Sequence, residues 1–209
     1  MSEVDEYKYY DGRENYYLSD RGINELKAVL NEIDEKDKVL DVGCGIGMSI
    51  RVMKDLRKDL SIKGIDTNTM AIGLAKGNGV DAIVGDFLEY PFTKNEFDVV
   101  IGLSVLSFID VEKLIMKGLE ISKKVLLLNN LVEIKSLTQN SRPIFNFHQG
   151  MIQLNSQNLK GKFNENFKLN CVSTKLYDYN KIDGTSDSVY LLKFERITKE
   201  KNIKSKEVD

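Results

Sequence analysis

The stretch VLDVGCGIG, residues 39–47, sets Asp41 ahead of Gly43, Gly45 and Gly47. Glycines at that spacing permit a sharp turn and let a ligand approach the backbone closely. Asp66 stands 19 residues beyond Gly47, the distance at which an acidic side chain accepts hydrogen bonds from the hydroxyls of a ribose. Loop and acid together point to an adenosine-type ligand. The dinucleotide pattern G-x-G-x-x-G fits poorly, because its third glycine position is occupied by Met48, whose bulk would crowd a pyrophosphate. Asp41 would repel a pyrophosphate as well. Both features suit a ligand with a cationic, amino-acid-like end.

Other reactive side chains are few. His148 is the single histidine, and its ordinary pKa near 6.5 suits a general base. The plainer reading is a loop histidine bonded to backbone or water. Arg142, beside Pro143, is a candidate for an anionic substrate or a solvated loop residue. Cys44 lies inside the glycine loop, where a packing role is expected, and Cys171 is expected in the core. Two cysteines and one histidine are too few for a zinc site of about four Cys/His ligands, so no metal is expected.

These residues need a scaffold, and the apolar pattern supplies one. A helix is predicted from Ser19 or Asp20, with Ile23, Leu26, Leu30 and Ile33 on one face. Strands are predicted at Lys38–Asp41, Ser61–Ile65, Asp81–Val84, Phe97–Ile101 and Lys124–Leu128. Between them lie a helix after the glycine loop, burying Val52, Met53 and Leu56, and helices at Asn68–Lys76 and Val111–Ile121. Short apolar strands alternating with amphipathic helices imply an α/β protein, a mostly parallel sheet with helices on both faces. Residues 130–155 read as irregular, and Ser156–Glu165 as a short helix. Cys171–Tyr179 and Ser188–Ile197 read as an antiparallel hairpin at the sheet edge. The polar tail from Thr198 is expected to be disordered.

The 209 residues suit one domain, with 42% hydrophobic and 30% charged residues, the profile of a soluble globular protein. Thirty basic and 32 acidic residues give a net charge of −2, which gives no global attraction to nucleic acid or anionic lipid. The acidic N-terminus lacks the apolar core of a signal peptide. The apolar run Val99–Ile109 is too short to span a bilayer. A reduced, cytoplasmic location is expected, without membrane association.

Over residues 36–129 the chain resembles the class I S-adenosylmethionine-dependent methyltransferases. VLDVGCGIG is similar to that family's first motif, and GIDTN, residues 64–68, to its second-strand motif. GDFLEYPF, residues 85–92, and FDVVIGLSVLSFI, residues 97–109, are similar to two further motifs. The resemblance implies a Rossmann-like seven-stranded sheet with an antiparallel terminal hairpin. It implies a single domain over residues 1–197, with residues 1–35 as an N-terminal lid and helix segment and residues 130–168 on the acceptor side. It implies S-adenosyl-L-methionine as cofactor and S-adenosyl-L-homocysteine as product. Asp41 and the backbone of Gly43, Cys44, Gly45 and Gly47 would face the methionyl end, and Asp66 the ribose. Thr67, Asp86 and Phe87 would flank the adenine. Leu103 and Ser104 would lie beside the methionine part, Tyr10 and Tyr16 would close over the cofactor or pack on the following helix, and His148 would be the catalytic base.

The expected acceptor is a small molecule methylated at oxygen or nitrogen. The place of the Asn/Asp-Pro-Pro-aromatic motif of base-amino methyltransferases reads GLSV, residues 102–105, and no Pro-Cys pair exists for attack on cytosine, so DNA is not expected. A protein or RNA acceptor is an alternative. A narrower resemblance, carried by residues 64–87 and by ISKKVLLLNN, is to the MetW proteins, which look like methyltransferases but are linked to homoserine acylation through a partner. It leaves open a non-catalytic subunit of an acyltransferase, and a homodimer or partner enzyme. The roughly 38 residues ahead of the first strand depart from that pattern.

Overall fold

Strand β1, Lys38–Val42, hides Val39, Leu40, Asp41 and Val42 in succession. A strand covered on both faces demands helices on both sides of its sheet. The computed structural model, which describes residues 15–134, 144–147, 150–152, 168–180 and 186–197, has that arrangement. β2 (Ser61–Asp66), β3 (Ala82–Val84), β4 (Val99–Leu103) and β5 (Lys124–Ile134) complete a parallel array in the order β3-β2-β1-β4-β5. β8 (Lys168–Asn180) and β9 (Ser186–Ile197) form the expected antiparallel hairpin, and β9 runs antiparallel to β5. Seven strands thus form a Rossmann-like, mostly parallel sheet.

Alternation along the strands builds two cores. Val39, Ile101, Leu126 and Leu191 face one side, and Leu40, Val100, Leu127 and Leu192 the other. The first core is closed by α1 (Asp20–Leu30), α2 (Met48–Leu56) and α3 (Thr69–Gly77) through Leu26, Ile50, Met53 and Ile72. The second is closed by α4 (Val111–Ile121) through Leu114, Ile115 and Leu119. Three helices start on side-chain caps. Ser19 Oγ accepts from Gly22 N, Asn68 Oδ1 from Ala71 N, and Asp110 Oδ1 from Lys113 N.

Some expected boundaries move. β5 does not stop at Leu128. Asn129 and Asn130 interrupt the apolar pattern, but their backbones continue the ladder opposite Tyr190 and Val189. Residues 130–155 are therefore not wholly irregular. β6 (Ile144–Phe147) pairs with the end of β5, and β7 (Gly150–Ile152) with β6, both antiparallel. In α2 the buried stripe is Met48, Ile50 and Met53, while Leu56 is 41% exposed. In α1 Ile23 is half-buried, and Glu25 and Val29 turn inward. Tyr10, Arg142, Pro143, His148, the predicted helix 156–165 and the tail 198–209 lie outside the described residues.

Candidate functional site

β1 and β4 are neighbours in the sheet, yet the chain leaves β1 toward β2 on one side and reaches β4 from the other. In open α/β sheets, ligands lie at the carboxyl ends of the strands where the order reverses in this way. There the structure has a cavity of about 550 Å³. The loop after β1 forms one wall. Gly43 has φ +73°, and a Cβ there would come within 2.8 Å of Val105 Cγ2; Gly47 has φ +77° and the same clearance to Val80. Only glycine fits both the left-handed backbone and the close contact.

The loop's amides are already engaged. Gly43 N and Cys44 N both donate to Ile65 O, at 2.8 and 3.2 Å, and Gly47 N donates to Cys44 O at 3.0 Å. Gly45 N donates to Asp66 Oδ2 at 2.9 Å. The turn is therefore held against the end of β2, and these four N–H groups do not form an open cradle for a pyrophosphate.

Asp41 is the most unusual polar group in the cavity wall. It is 1% exposed, and Oδ2 accepts from Ser49 Oγ at 2.9 Å. Oδ1 has no hydrogen-bond partner. Burial pushes its pKa up to about 7, the Ser49 hydrogen bond opposes that rise, and the nearby charge of Asp66 adds to it. A buried, half-satisfied carboxylate calls for a cation or a donor. Cys44 shows the opposite chemistry. Burial, then the charges of Asp41 and Asp66, raise its thiol pKa, so it is an inert packing group.

Asp66, at the end of β2, also lines the cavity. Its Oδ1 accepts from Asn68 N at 2.9 Å, so two backbone amides fix the carboxylate from behind. Each oxygen keeps a lone pair for a further donor. Thr67 and Asn68 continue this wall. The loop after β3 extends the same side, with Gly85 N donating to Asp66 O at 2.9 Å. Asp86 Oδ1 accepts from Leu88 N at 2.8 Å, and Phe87 is buried against Phe92, 6.1 Å between ring centroids. Lys117 of α4 holds this loop in place, donating from Nζ to Leu88 O and Tyr90 O, both at 2.7 Å. Leu103 and Ser104 close the end of β4. Ser104 has φ +56°, a conformation that costs a non-glycine residue about 1–2 kcal/mol. That backbone turn places Val105 against Gly43, and Ser104 N donates to Leu128 O at 2.7 Å.

Of the site residues expected from sequence, Asp41, Gly43, Cys44, Gly45, Asp66, Thr67, Asp86, Phe87, Leu103 and Ser104 meet at this cavity. Gly47 stands behind the wall, as the first residue ahead of α2. Tyr16 turns away. Its hydroxyl donates to Glu25 Oε1, and Tyr177 approaches the same carboxylate. Tyr17, next in the chain, lines the cavity instead. Sequence reasoning also passed over Ser49, Lys117, Phe108 and Asp110. Asp110 carried a usable signal, an acidic residue directly before a helix. Among the described residues no cluster of three or more His, Cys, Asp and Glu is placed to hold a metal ion, and no helix is long and apolar enough to cross a membrane.

The sheet order with its antiparallel hairpin is the class I methyltransferase fold, and residues 39–124 match the family model of a methyltransferase domain. A stretch of 82 residues is 33% identical to 24-methylenesterol C-methyltransferase 2 of Arabidopsis thaliana, spanning 35% of this chain and 22% of that protein. The fold is similar to a structure of Haemonchus contortus phosphoethanolamine N-methyltransferase 2 in complex with S-adenosyl-L-methionine. The TM-score is 0.61 at 17% identity, over 87% of this chain and 54% of that one. It is also similar to a chain in a complex that contains the Haloferax volcanii Trm112 methyltransferase activator. There the TM-score is 0.65 at 16% identity, over 93% and 98% of the two chains. The chain thus spans about a fifth of the sterol enzyme and about half of the phosphoethanolamine enzyme.

Proposed function

We propose that this protein is an S-adenosylmethionine-dependent methyltransferase acting on a small molecule at oxygen or nitrogen. The observation that carries the reading is the buried, unpartnered Oδ1 of Asp41 in the wall of a cavity that also presents Asp66. The acceptor groups fit the cofactor at both ends. Asp41 meets the need of a cationic methionyl end, and Asp66, fixed by Gly45 N and Asn68 N, accepts from the ribose hydroxyls. Phe87 and Asp86 supply an apolar face and an acceptor for the adenine, beside Thr67. The engaged amides of Gly43, Cys44, Gly45 and Gly47 favour this ligand over a dinucleotide.

When bound, S-adenosylmethionine supplies a methyl group on a positively charged sulfur. The chain's own part is to hold the acceptor in line with that methyl and to keep competing water out, so that positioning supplies much of the acceleration. Leu103, Val105 and Tyr17 form the apolar part of the cavity that excludes water. A base is needed only for an acceptor that must lose a proton early. His148 is the candidate proposed from sequence for that case, and the acceptor region 130–168 is proposed to present it.

Calorimetry tests the reading. Binding of S-adenosylmethionine is expected in the micromolar range, about −8 kcal/mol. Asp66→Ala removes a charged acceptor and is expected to weaken binding by about 1.5–3 kcal/mol. Absence of binding to the wild-type chain would overturn the proposal.

A further inference from the structure

The cavity wall has a charge pattern that bears on the acceptor. Every acidic or basic residue among those described in its lining is an aspartate: Asp41, Asp66 and Asp86 are assigned above to the cofactor, which leaves Asp110 to face the acceptor. Asp110 stands at the exposed end, beside Phe108 and Ile109. Phe108 is 74% exposed, a large aromatic surface left in water at the rim. Lys113 offsets Asp110 only weakly, with Nζ 3.8 Å from Oδ2 and most of its side chain in solvent. Lys117 points elsewhere, to the carbonyls of Leu88 and Tyr90.

This wall disfavours an anionic acceptor. A phosphate or carboxylate entering past Asp110 would meet like charge at the rim, and such juxtapositions are unfavourable. An ammonium meets opposite charge along the same path, and a hydrocarbon chain covers the exposed ring of Phe108.

We propose that the acceptor is an apolar amine, drawn in by Asp110 and seated on Phe108 and Ile109, and methylated on nitrogen. The inference rests on the methyltransferase reading above. The amine enters as an ammonium and gives one proton to water. Its lone pair then forms the nitrogen–carbon bond as the carbon–sulfur bond breaks. That bond's electron pair stays on sulfur, leaving S-adenosylhomocysteine and an N-methylammonium.

A matched series separates the head groups: octylamine, octanol, octanoate and octyl phosphate, each assayed with the full chain for S-adenosylhomocysteine release. Octylamine is expected to exceed both anions in kcat/KM by roughly tenfold or more. Asp110→Asn keeps a side chain that caps helices as well as aspartate does, so stability and the Kd for S-adenosylmethionine are expected to hold. The KM for octylamine should rise about two- to fivefold in low salt, and less at high salt. Phe108→Ala should raise the KM for octylamine more than that for propylamine. Preference for the alcohol or either anion, an Asp110→Asn variant with unchanged KM, or turnover of none of the four by a chain that binds S-adenosylmethionine would each overturn the amine assignment. A chain that does not bind S-adenosylmethionine fails at the earlier reading instead.

Discussion

At the scale of single residues, Asp41 couples the site to pH. Burial holds its proton up to about pH 7, well above an ordinary carboxylate. The folded chain therefore binds more protons than the unfolded chain between about pH 4 and pH 7, and unliganded stability falls as pH rises through that window. A cation beside the ionised carboxylate has the opposite preference. S-adenosylmethionine affinity is thus expected to rise with pH up to about 7, by as much as about tenfold per unit, with release of a proton on binding. Titrations in buffers of different ionisation heat would count that proton, and Asp41→Asn should abolish both the slope and the proton release. An unchanged slope in the variant would assign the titration to another group. Much of this site was legible before the fold. Gly43 and Gly47 announce a left-handed turn through their own lack of a Cβ, and Asp66 follows at a fixed distance along the chain. Tyr16 against Tyr17 was not legible. Adjacent residues on a helix face different ways, and here the phase is set by Glu25, a buried acid that no apolar pattern reveals.

At the scale of elements, the loop after β3 depends on a helix from elsewhere in the chain. Two of its carbonyls, at Leu88 and Tyr90, receive the ammonium of Lys117, which also stands 5.7 Å from the centre of the Phe87 ring. Lys117→Met keeps the aliphatic stem and removes the donors. It is expected to cost about 1–3 kcal/mol of stability, and to weaken S-adenosylhomocysteine binding while leaving kcat at saturating cofactor near the wild-type value. Thermal melts and calorimetry on one preparation separate the two effects. Lower stability with unchanged affinity would make Lys117 a purely structural residue. Strand identity was readable wherever Val, Ile and Leu run together, as in β1 and β4. It was not readable past Leu128, because Asn129 and Asn130 pair through their backbones, and ladder hydrogen bonds leave no mark on side-chain polarity.

At the scale of the whole molecule, the cavity draws its wall from Tyr17, from the ends of β1, β2 and β4, and from the loop that carries Asp86 and Phe87. These segments are far apart in sequence and belong to both cores, so one ligand fastens parts of the chain that would otherwise separate on unfolding. A ligand that binds only the folded state at 100 times its Kd adds about 2.7 kcal/mol. For a chain of this size that corresponds to a rise in Tm of roughly 5–10 °C. S-adenosylhomocysteine, which keeps the ribose, adenine and ammonium but not the sulfonium, should produce most of that rise. NAD, which replaces the cationic end with a pyrophosphate facing Asp41, should produce none at the same concentration. An equal rise with both would mean that the adenosine half alone governs binding, and that the orphaned oxygen of Asp41 selects nothing.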